Sequence, residues 1–369
     1  MITWPATLLV LLLAAGQAFA VDWQVSRFAG RDYVSIDKIA EFYNLPRKAV
    51  PTEKNLSLAR ARRSLLVTLG RREVEINGVK YLLSFPVIAQ EGGYWISRLD
   101  LGKTIEPAFR PELVPGVKTF TTVILDPGHG GHDKGAASPY ELEKNFALDV
   151  SRRVRDELQK AGLRVMMTRN SDAFVELQDR TAMANAKQSS IFVSIHFNAS
   201  PNRDANGLEI FCITPRGSPS TEYDELLVRD MIQEHGNESE LQSFILAGAI
   251  YHSLHGSSLT MCDRGLKRAR FAVLRATKMP AVLIEGGFLS HPADARLVAS
   301  KDWRNKYAAA IATGILEYKK LADLKKAPRL AADYRNSRPG ESTPVAALPS
   351  PTPATGGVVL RDLPEAAEN

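Results

Sequence analysis

Apolar and polar residues change rhythm along the chain, and the changes mark its organisation. From residue 21 to about 115 the apolar runs are short and rich in aromatics. Tyr33-Val34-Ser35-Ile36 reads as a strand, and Asp37 reads as the N-cap of a helical run through Tyr43, ahead of Ile39, Ala40 and Phe42. Ser64–Val67 and Val74–Ile76 read as strands paired around Gly70. Asn77-Gly78 is a hairpin turn leading into Val79–Phe85. Gly93-Tyr94-Trp95-Ile96 repeats the aromatic-apolar start seen at Tyr33. These signals predict a small α+β unit.

Pro111–Gly116 reads as a linker, and from Thr121 to about Lys320 strand and helix signals alternate, the signature of an α/β domain. The strand-like runs are Thr122–Leu125, Arg164–Thr168, Ile191–Ile195, Leu208–Ile213 and Ala281–Ile284. Phe146, Val150, Val154, Leu158 and Ala161 recur at helical spacing, and Gly162 supplies a C-terminal stop. Leu241–Leu254 and Trp303–Leu321 are further helices. The longer segment Thr214–Glu240 carries Pro215, Gly217, Pro219 and Gly236 and reads as a surface loop, with a regulatory lid as the alternative.

The ends differ from this body. Residues 1–20 carry no charged side chain, Leu8–Ala15 is continuously apolar, and Ala18-Phe19-Ala20 has the small-x-small form of a signal-peptidase site. A cleaved leader at 1–20 is therefore expected, the apolar stretch being short for a membrane span. Residues 328–369 are rich in Ala and Pro, with little to bury, and read as a disordered tail.

The chain has 369 residues, 44% hydrophobic and 24% charged, with a formal net charge of +6. For an exported protein, in the periplasm or outside the cell, a basic surface suits anionic envelope polymers better than nucleic acid. Nucleic acid is thus excluded as a partner, as is stable membrane insertion after leader cleavage. Arg60, Arg62, Arg63, Arg71 and Arg72 cluster in the first unit, as a wall-binding patch or a solvated hairpin. Cys212 and Cys262 form no CxxC pair, which excludes a cysteine-based zinc site. An oxidising compartment permits a disulfide between them, and two free thiols are the alternative.

Three strand-like runs end on polar residues. Ile124-Leu125-Asp126-Pro127-Gly128-His129-Gly130-Gly131 presents a histidine on a Gly-rich turn. Ser194-Ile195-His196-Phe197-Asn198 and Val282-Leu283-Ile284-Glu285-Gly286-Gly287 follow the same form. Sites in open α/β sheets form at the carboxyl ends of strands. Glu141 and Glu143 open a helix; Ser138 and Glu141 have capping-box spacing, which accounts for Glu141 and leaves Glu143 free. Catalytic zinc takes three ligands from His and Glu, with water in the open position, and His129, Glu143 and His196 supply such a set. His196 read alone could equally be a core histidine. Glu285 suits a general base beside a metal-bound water, with a salt bridge as the plain alternative. His132 is a fourth candidate contact, read as a bystander.

Taken together, these residues resemble the zinc-dependent N-acetylmuramoyl-L-alanine amidases of the amidase-3 family over roughly Thr122–Leu321. The resemblance also rests on Met167-Thr168-Arg169 with Asp172, Leu177 with Arg180, Asp263-Arg264-Gly265-Leu266-Lys267, and Met279-Pro280-Ala281 running into the Glu285 segment. It implies zinc on His129, Glu143 and His196, Glu285 as the catalytic carboxylate, and substrate contacts from Asn198, Arg180 and Lys267. It implies an α/β fold, a mixed twisted sheet flanked by helices on both faces, over residues 118–322. The substrate implied is peptidoglycan, cut between N-acetylmuramic acid and the L-alanine of the stem peptide, and a protein activator is a candidate partner. His132, Lys134 and Phe197 depart from the family pattern without removing a ligand. Residues 21–115 resemble the small domain at the N-terminus of some copper amine oxidases, through Asp32-Tyr33-Val34-Ser35, Asn77-Gly78 and Gly93-Tyr94-Trp95-Ile96. The competing readings are a non-catalytic wall-binding protein on the same fold and a zinc hydrolase of another exported amide.

Overall fold

The computed structural model describes residues 23, 25–48 and 54–324. The expected leader at 1–20 and the expected tail at 328–369 lie outside them. Its first part contains β1 (Val25–Phe28), β2 (Arg31–Ser35), α1 (Ile36–Tyr43), β3 (Arg47–Lys48), β4 (Asn55–Arg60), β5 (Arg63–Thr68), β6 (Glu73–Ile76), β7 (Val79–Leu82), β8 (Ile88–Gln90) and β9 (Gly93–Ser97). Two short helical turns follow, α2 (Arg98–Asp100) and α3 (Glu106–Phe109). The hairpin at Asn77-Gly78 forms as expected: both residues have positive φ, 54° and 80°, and Ile76 pairs with Val79. The cap of α1 sits two residues earlier than the pattern suggested. Ser35 is the N-cap and its hydroxyl accepts from the Asp37 amide at 3.2 Å, so Asp37 lies in the first turn.

The second part contains β10 (Thr122–Pro127), α4 (Glu143–Lys160), β11 (Arg164–Met167), α5 (Leu177–Asn185), β12 (Ser190–Asn198), β13 (Leu208–Ile213), α6 (Glu240–His255), β14 (Asp263–Ala269), α7 (Ala272–Ala276), β15 (Ala281–Phe288), α8 (Pro292–Ala299) and α9 (Lys301–Leu324). Strands β11, β10, β12 and β15 are parallel neighbours in that order; β13 runs antiparallel to β15 and parallel to β14. The sheet is therefore mixed. Side chains alternate across it. Val123, Leu125, Val193, Ile195, Val282 and Ile284 pack under α4, α6 and α9. Ile124, Phe192, Phe211 and Leu283 face the opposite side, with α5 and α7. In α4, Phe146, Val150, Val154 and Leu158 are all buried, at the spacing read from sequence.

The two sequence units share one sheet and one core. Leu266 of β14 pairs with Tyr81 of β7, which extends the large sheet through β6, β5, β4 and β3 to eleven strands. A smaller sheet runs β1-β2-β9-β8. Tyr81 also packs against Phe244 of α6, ring centroids 5.5 Å apart, and Arg72 donates to the Tyr223 carbonyl at 2.6 Å. Arg60, Arg62, Arg63 and Arg71 are exposed, whereas Arg72 is half-buried in this seam. Among the described residues no helix is long and apolar enough to cross a membrane.

Candidate metal and catalytic centre

The carboxyl end of β10 turns into the loop Gly128–Gly131, which folds back over β12. A Cβ on Gly128 would stand 2.2 Å from His196 Cε1, so only glycine lets the loop lie against that ring. His129 has φ 59°, a left-handed conformation that costs a residue with a Cβ about 1–2 kcal/mol. Its surroundings hold it there. Arg180 donates to the carbonyls of Pro127 and His129 at 2.7 and 2.8 Å, and Arg169 to those of Pro127 and Gly128 at 3.0 and 2.7 Å.

Beneath the loop, buried Asp126 accepts from Arg180 Nη1 at 2.9 Å, Ser194 Oγ at 2.8 Å and Thr168 Oγ1 at 2.5 Å. Burial pushes the Asp126 carboxyl up, but Arg180 and Thr168 outweigh it and hold it below its ordinary value. The expectation of a substrate contact at Arg180 gives way here. Its side chain is 3% exposed, and its donors go to Asp126 and the carbonyls of Pro127, His129 and Val175. Arg180 supports the loop from below.

Glu143 is the first residue of α4. Half of the capping box expected at Ser138 and Glu141 forms: Ser138 Oγ accepts from the Glu141 amide at 3.1 Å and donates to the Glu141 carbonyl, while Glu141 Oε1 accepts from the Leu142 amide and Asn145 Nδ2. Glu143 is thereby left for other work. Its Oε2 accepts from the Ala136 amide at 2.8 Å and its Oε1 from the Phe197 amide at 3.0 Å. The same Oε1 stands 3.0 Å from His129 Nε2 and 3.0 Å from His196 Nδ1. One donor atom each from His129, Glu143 and His196 thus lies within 4.8 Å of the others, and the three form a candidate metal site. Burial pushes Glu143 up, yet the two imidazoles beside it outweigh that and hold it below its ordinary value.

Asp133, which the sequence reading missed, takes His129 Nδ1 at 2.8 Å and so leaves Nε2 turned to the cluster. Lys144 bonds Asp172 at 2.7 Å and the Gly131 carbonyl at 2.8 Å, pinning the far side of the loop. His132 points elsewhere. Its exposed ring packs on Phe174 with centroids 4.1 Å apart, outside the cluster.

Glu285 stands on β15 directly across from His196, and Glu209 of β13 stands directly across from Glu285. Cross-strand partners share a face, so the three side chains form one row across the strand ends. The salt bridge considered for Glu285 is made by Glu209 instead. Glu209 accepts from Arg264 Nε at 2.7 Å, from Lys267 Nζ, and from Asn198 Nδ2 at 2.8 Å. Glu285 Oε2 is shielded from solvent and has no hydrogen-bond partner among the described residues. Burial, with Glu143 and Glu209 nearby, pushes its carboxyl well above the ordinary value. Glu209 went unread because its strand is otherwise apolar; a carboxylate inside such a run is the same signal that singled out Glu285.

The segment 214–240 packs beside this row. Arg270 ties it down through the carbonyls of Pro215 and Ser218, both at 3.0 Å, and through Asp230 at 2.6 Å. Burial raises the Glu222 carboxyl, Lys267 pulls it down and Glu209 pushes it up, so this segment lies within electrostatic reach of the row. Cys212 is buried and Cys262 exposed, both as free thiols.

An α/β sheet whose strand ends gather a His-Glu-His cluster and a separate buried carboxylate defines the hydrolase type of centre. The profile of the N-acetylmuramoyl-L-alanine amidase family, amidase-3, matches residues 123–317, and the chain belongs to that family. N-acetylmuramoyl-L-alanine amidase AmiC of Neisseria meningitidis serogroup B is 33% identical over 224 residues, 55% of this chain and 54% of that protein. AmiA of Escherichia coli K12 is 32% identical over 233 residues, 56% of this chain and 78% of that protein. Among solved structures, AmiC2 of Nostoc punctiforme is 34% identical over 54% of this chain and 97% of that one, with a TM-score of 0.46. The matched stretch spans about half the length of the AmiC relatives.

Proposed function

We propose that this chain is an exported, zinc-dependent peptidoglycan hydrolase that cuts the amide between N-acetylmuramic acid and the L-alanine of the stem peptide. The observation that carries the reading is the convergence of His129 Nε2, Glu143 and His196 Nδ1 with Glu285 one strand away. The donor set fits zinc, two imidazole nitrogens and a carboxylate being the ligand types of catalytic zinc sites. The cradle fits too. A Cβ on Gly135 would fall 2.6 Å from both Glu143 Oε2 and His129 Cδ2, and one on Gly128 would strike His196.

His129, Glu143 and His196 would hold the ion, with Asp133 fixing the His129 tautomer. When bound, zinc supplies a Lewis acid that acidifies water and polarises the scissile carbonyl. Glu285 is the general base: its carboxylate takes the proton of the attacking water and delivers it to the departing alanine nitrogen. The glycines on either side of His129 let the loop close on the protein itself, a Cβ on Gly128 or on Gly130 falling 2.2 Å from His196 Cε1 or the Ala173 carbonyl oxygen.

Digestion of purified peptidoglycan followed by mass analysis tests this. Stem peptides with a free L-alanine amine are expected, lost on chelation, restored by zinc and absent with Glu285→Gln. Release of reducing sugar without free peptide would overturn it.

A further inference from the structure

We infer that His132 and Phe174 form a stacking platform for the pyranose ring of the sugar on the acyl side of the scissile amide. The inference rests on the amidase reading and adds where the glycan lies.

The order of the strands sets the direction. Glu285 on β15 delivers the proton to the departing alanine nitrogen, so the peptide half of the substrate lies toward β15. The acyl half then leaves the His-Glu-His cluster on the opposite side. His129 stands just past β10 and His196 near the end of β12, and the strand beyond β10 is β11. His132 lies in the loop after β10, and Phe174 in the loop after β11. Three residues of chain span at most about 11 Å, so the Cα of His132 stands within that distance of His129. The lactyl arm between the scissile carbonyl and the sugar is short, so the ring must rest beside the metal cluster.

The two loops are locked together at this point. The Gly131 amide donates to Asp172 Oδ1 at 2.8 Å, and a Cβ on Gly131 would fall 2.7 Å from the Phe174 amide nitrogen. The loop after β11 therefore lies flat against the turn that carries His129. Phe174 is half-buried and His132 is exposed, with ring centroids 4.1 Å apart and an interplanar angle of 38°. One face of the imidazole rests on Phe174, and the rest of the ring stands in solvent.

A pyranose ring has faces of C–H groups and edges of hydroxyl and amide groups. An imidazole has the matching form, an apolar body with polar ring nitrogens at its rim. A ring already seated on its neighbour loses little freedom when a ligand covers it.

Two soluble substrates test this on the zinc-loaded full chain: a muramoyl-alanyl peptide, and a D-lactyl-alanyl peptide that keeps the lactyl arm and lacks the sugar. The wild type is expected to favour the muramoyl substrate about tenfold in kcat/KM, through KM, as covering one apolar ring face would give. His132→Ala is expected to bring the two substrates within about twofold of each other, whereas His132→Phe, which keeps a ring, retains most of the preference. Zinc content is read alongside and is expected to stay at the wild-type value in both variants, because His132 lies outside the cluster. Equal cleavage of both substrates by the wild type overturns the platform and leaves the amidase reading standing. An equal loss on both substrates in His132→Ala overturns it too, as does loss of zinc, since a residue that merely supports the metal turn would give those results. If the wild type cleaves neither substrate, the amidase reading falls and takes the platform with it.

Discussion

The two flanks of Glu285 are built on opposite principles. On the β10 side every polar group that holds the loop is matched: Asp126 meets Arg180, Thr168 and Ser194, and Arg169 and Arg180 meet the carbonyls of the turn. On the β13 side the matching stops short. Glu285 Oε2 has no hydrogen-bond partner among the described residues, and Arg264 and Lys267 bond Glu209 while Lys267 also lies near Glu222 and Glu285. Buried polar groups that are fully paired give a fixed geometry, whereas an unpaired one costs stability. The first flank fixes a strained histidine in place; the second leaves a buried carboxylate oxygen without a hydrogen bond from the described residues.

The largest effect on this contrast is expected from Gly128→Ala. Its Cβ would enter the His196 ring, so zinc binding and turnover should fall at least a hundredfold while the far-ultraviolet circular dichroism stays that of a folded chain. Zinc affinity by competition with a chromophoric chelator checks this. Asp126→Asn comes next. It leaves the buried Arg180 guanidinium without its counter-ion, a change that costs about 3–5 kcal/mol in comparable buried pairs. Urea unfolding should show a loss of that order.

The third expectation is smaller and turns on sign. The Glu285 carboxyl is raised in the folded chain, so between its unfolded and folded values the native state binds more protons. Stability of the zinc-free protein should therefore fall as pH rises through that window. Glu285→Gln removes the charge, and its zinc-free Tm at pH 7 should exceed that of the wild type. An unchanged or lower Tm would show that Glu285 carries no desolvation penalty. Asp126 works in the reverse direction, its contribution being present above the unfolded carboxylate value and lost as pH falls through the lowered folded one.

The sequence showed the strands of the α/β part where apolar runs are uninterrupted, as at Ile124-Leu125 and Ile191–Ile195. β14 escaped because Arg264, Lys267 and Arg268 break its apolar rhythm, and these are the cations that serve Glu209 and the neighbouring segments. The helices α5, α7 and α8 escaped because they are short, with few apolar positions to reveal a period. In the site, His129, His196 and Glu285 were legible because each ends an apolar run, and Glu143 because Glu141 accounted for the cap. What was not legible depends on tertiary pairing. Asp133 acts only through the ring of His129, and Glu209 is seen as part of the row only once β13 is known to lie against β15. Arg180 shows the converse, since its place in the motif suggested substrate and its burial assigns it to the loop.

The central claim is that three residues hold the metal and a fourth does the proton work. Zinc content and peptide release, measured together on Glu285→Gln and His196→Ala, separate these roles. The account predicts one zinc per chain and no peptide release for Glu285→Gln, with neither zinc nor release for His196→Ala. A Glu285→Gln protein that keeps its zinc and still frees stem peptides at the wild-type rate would contradict it.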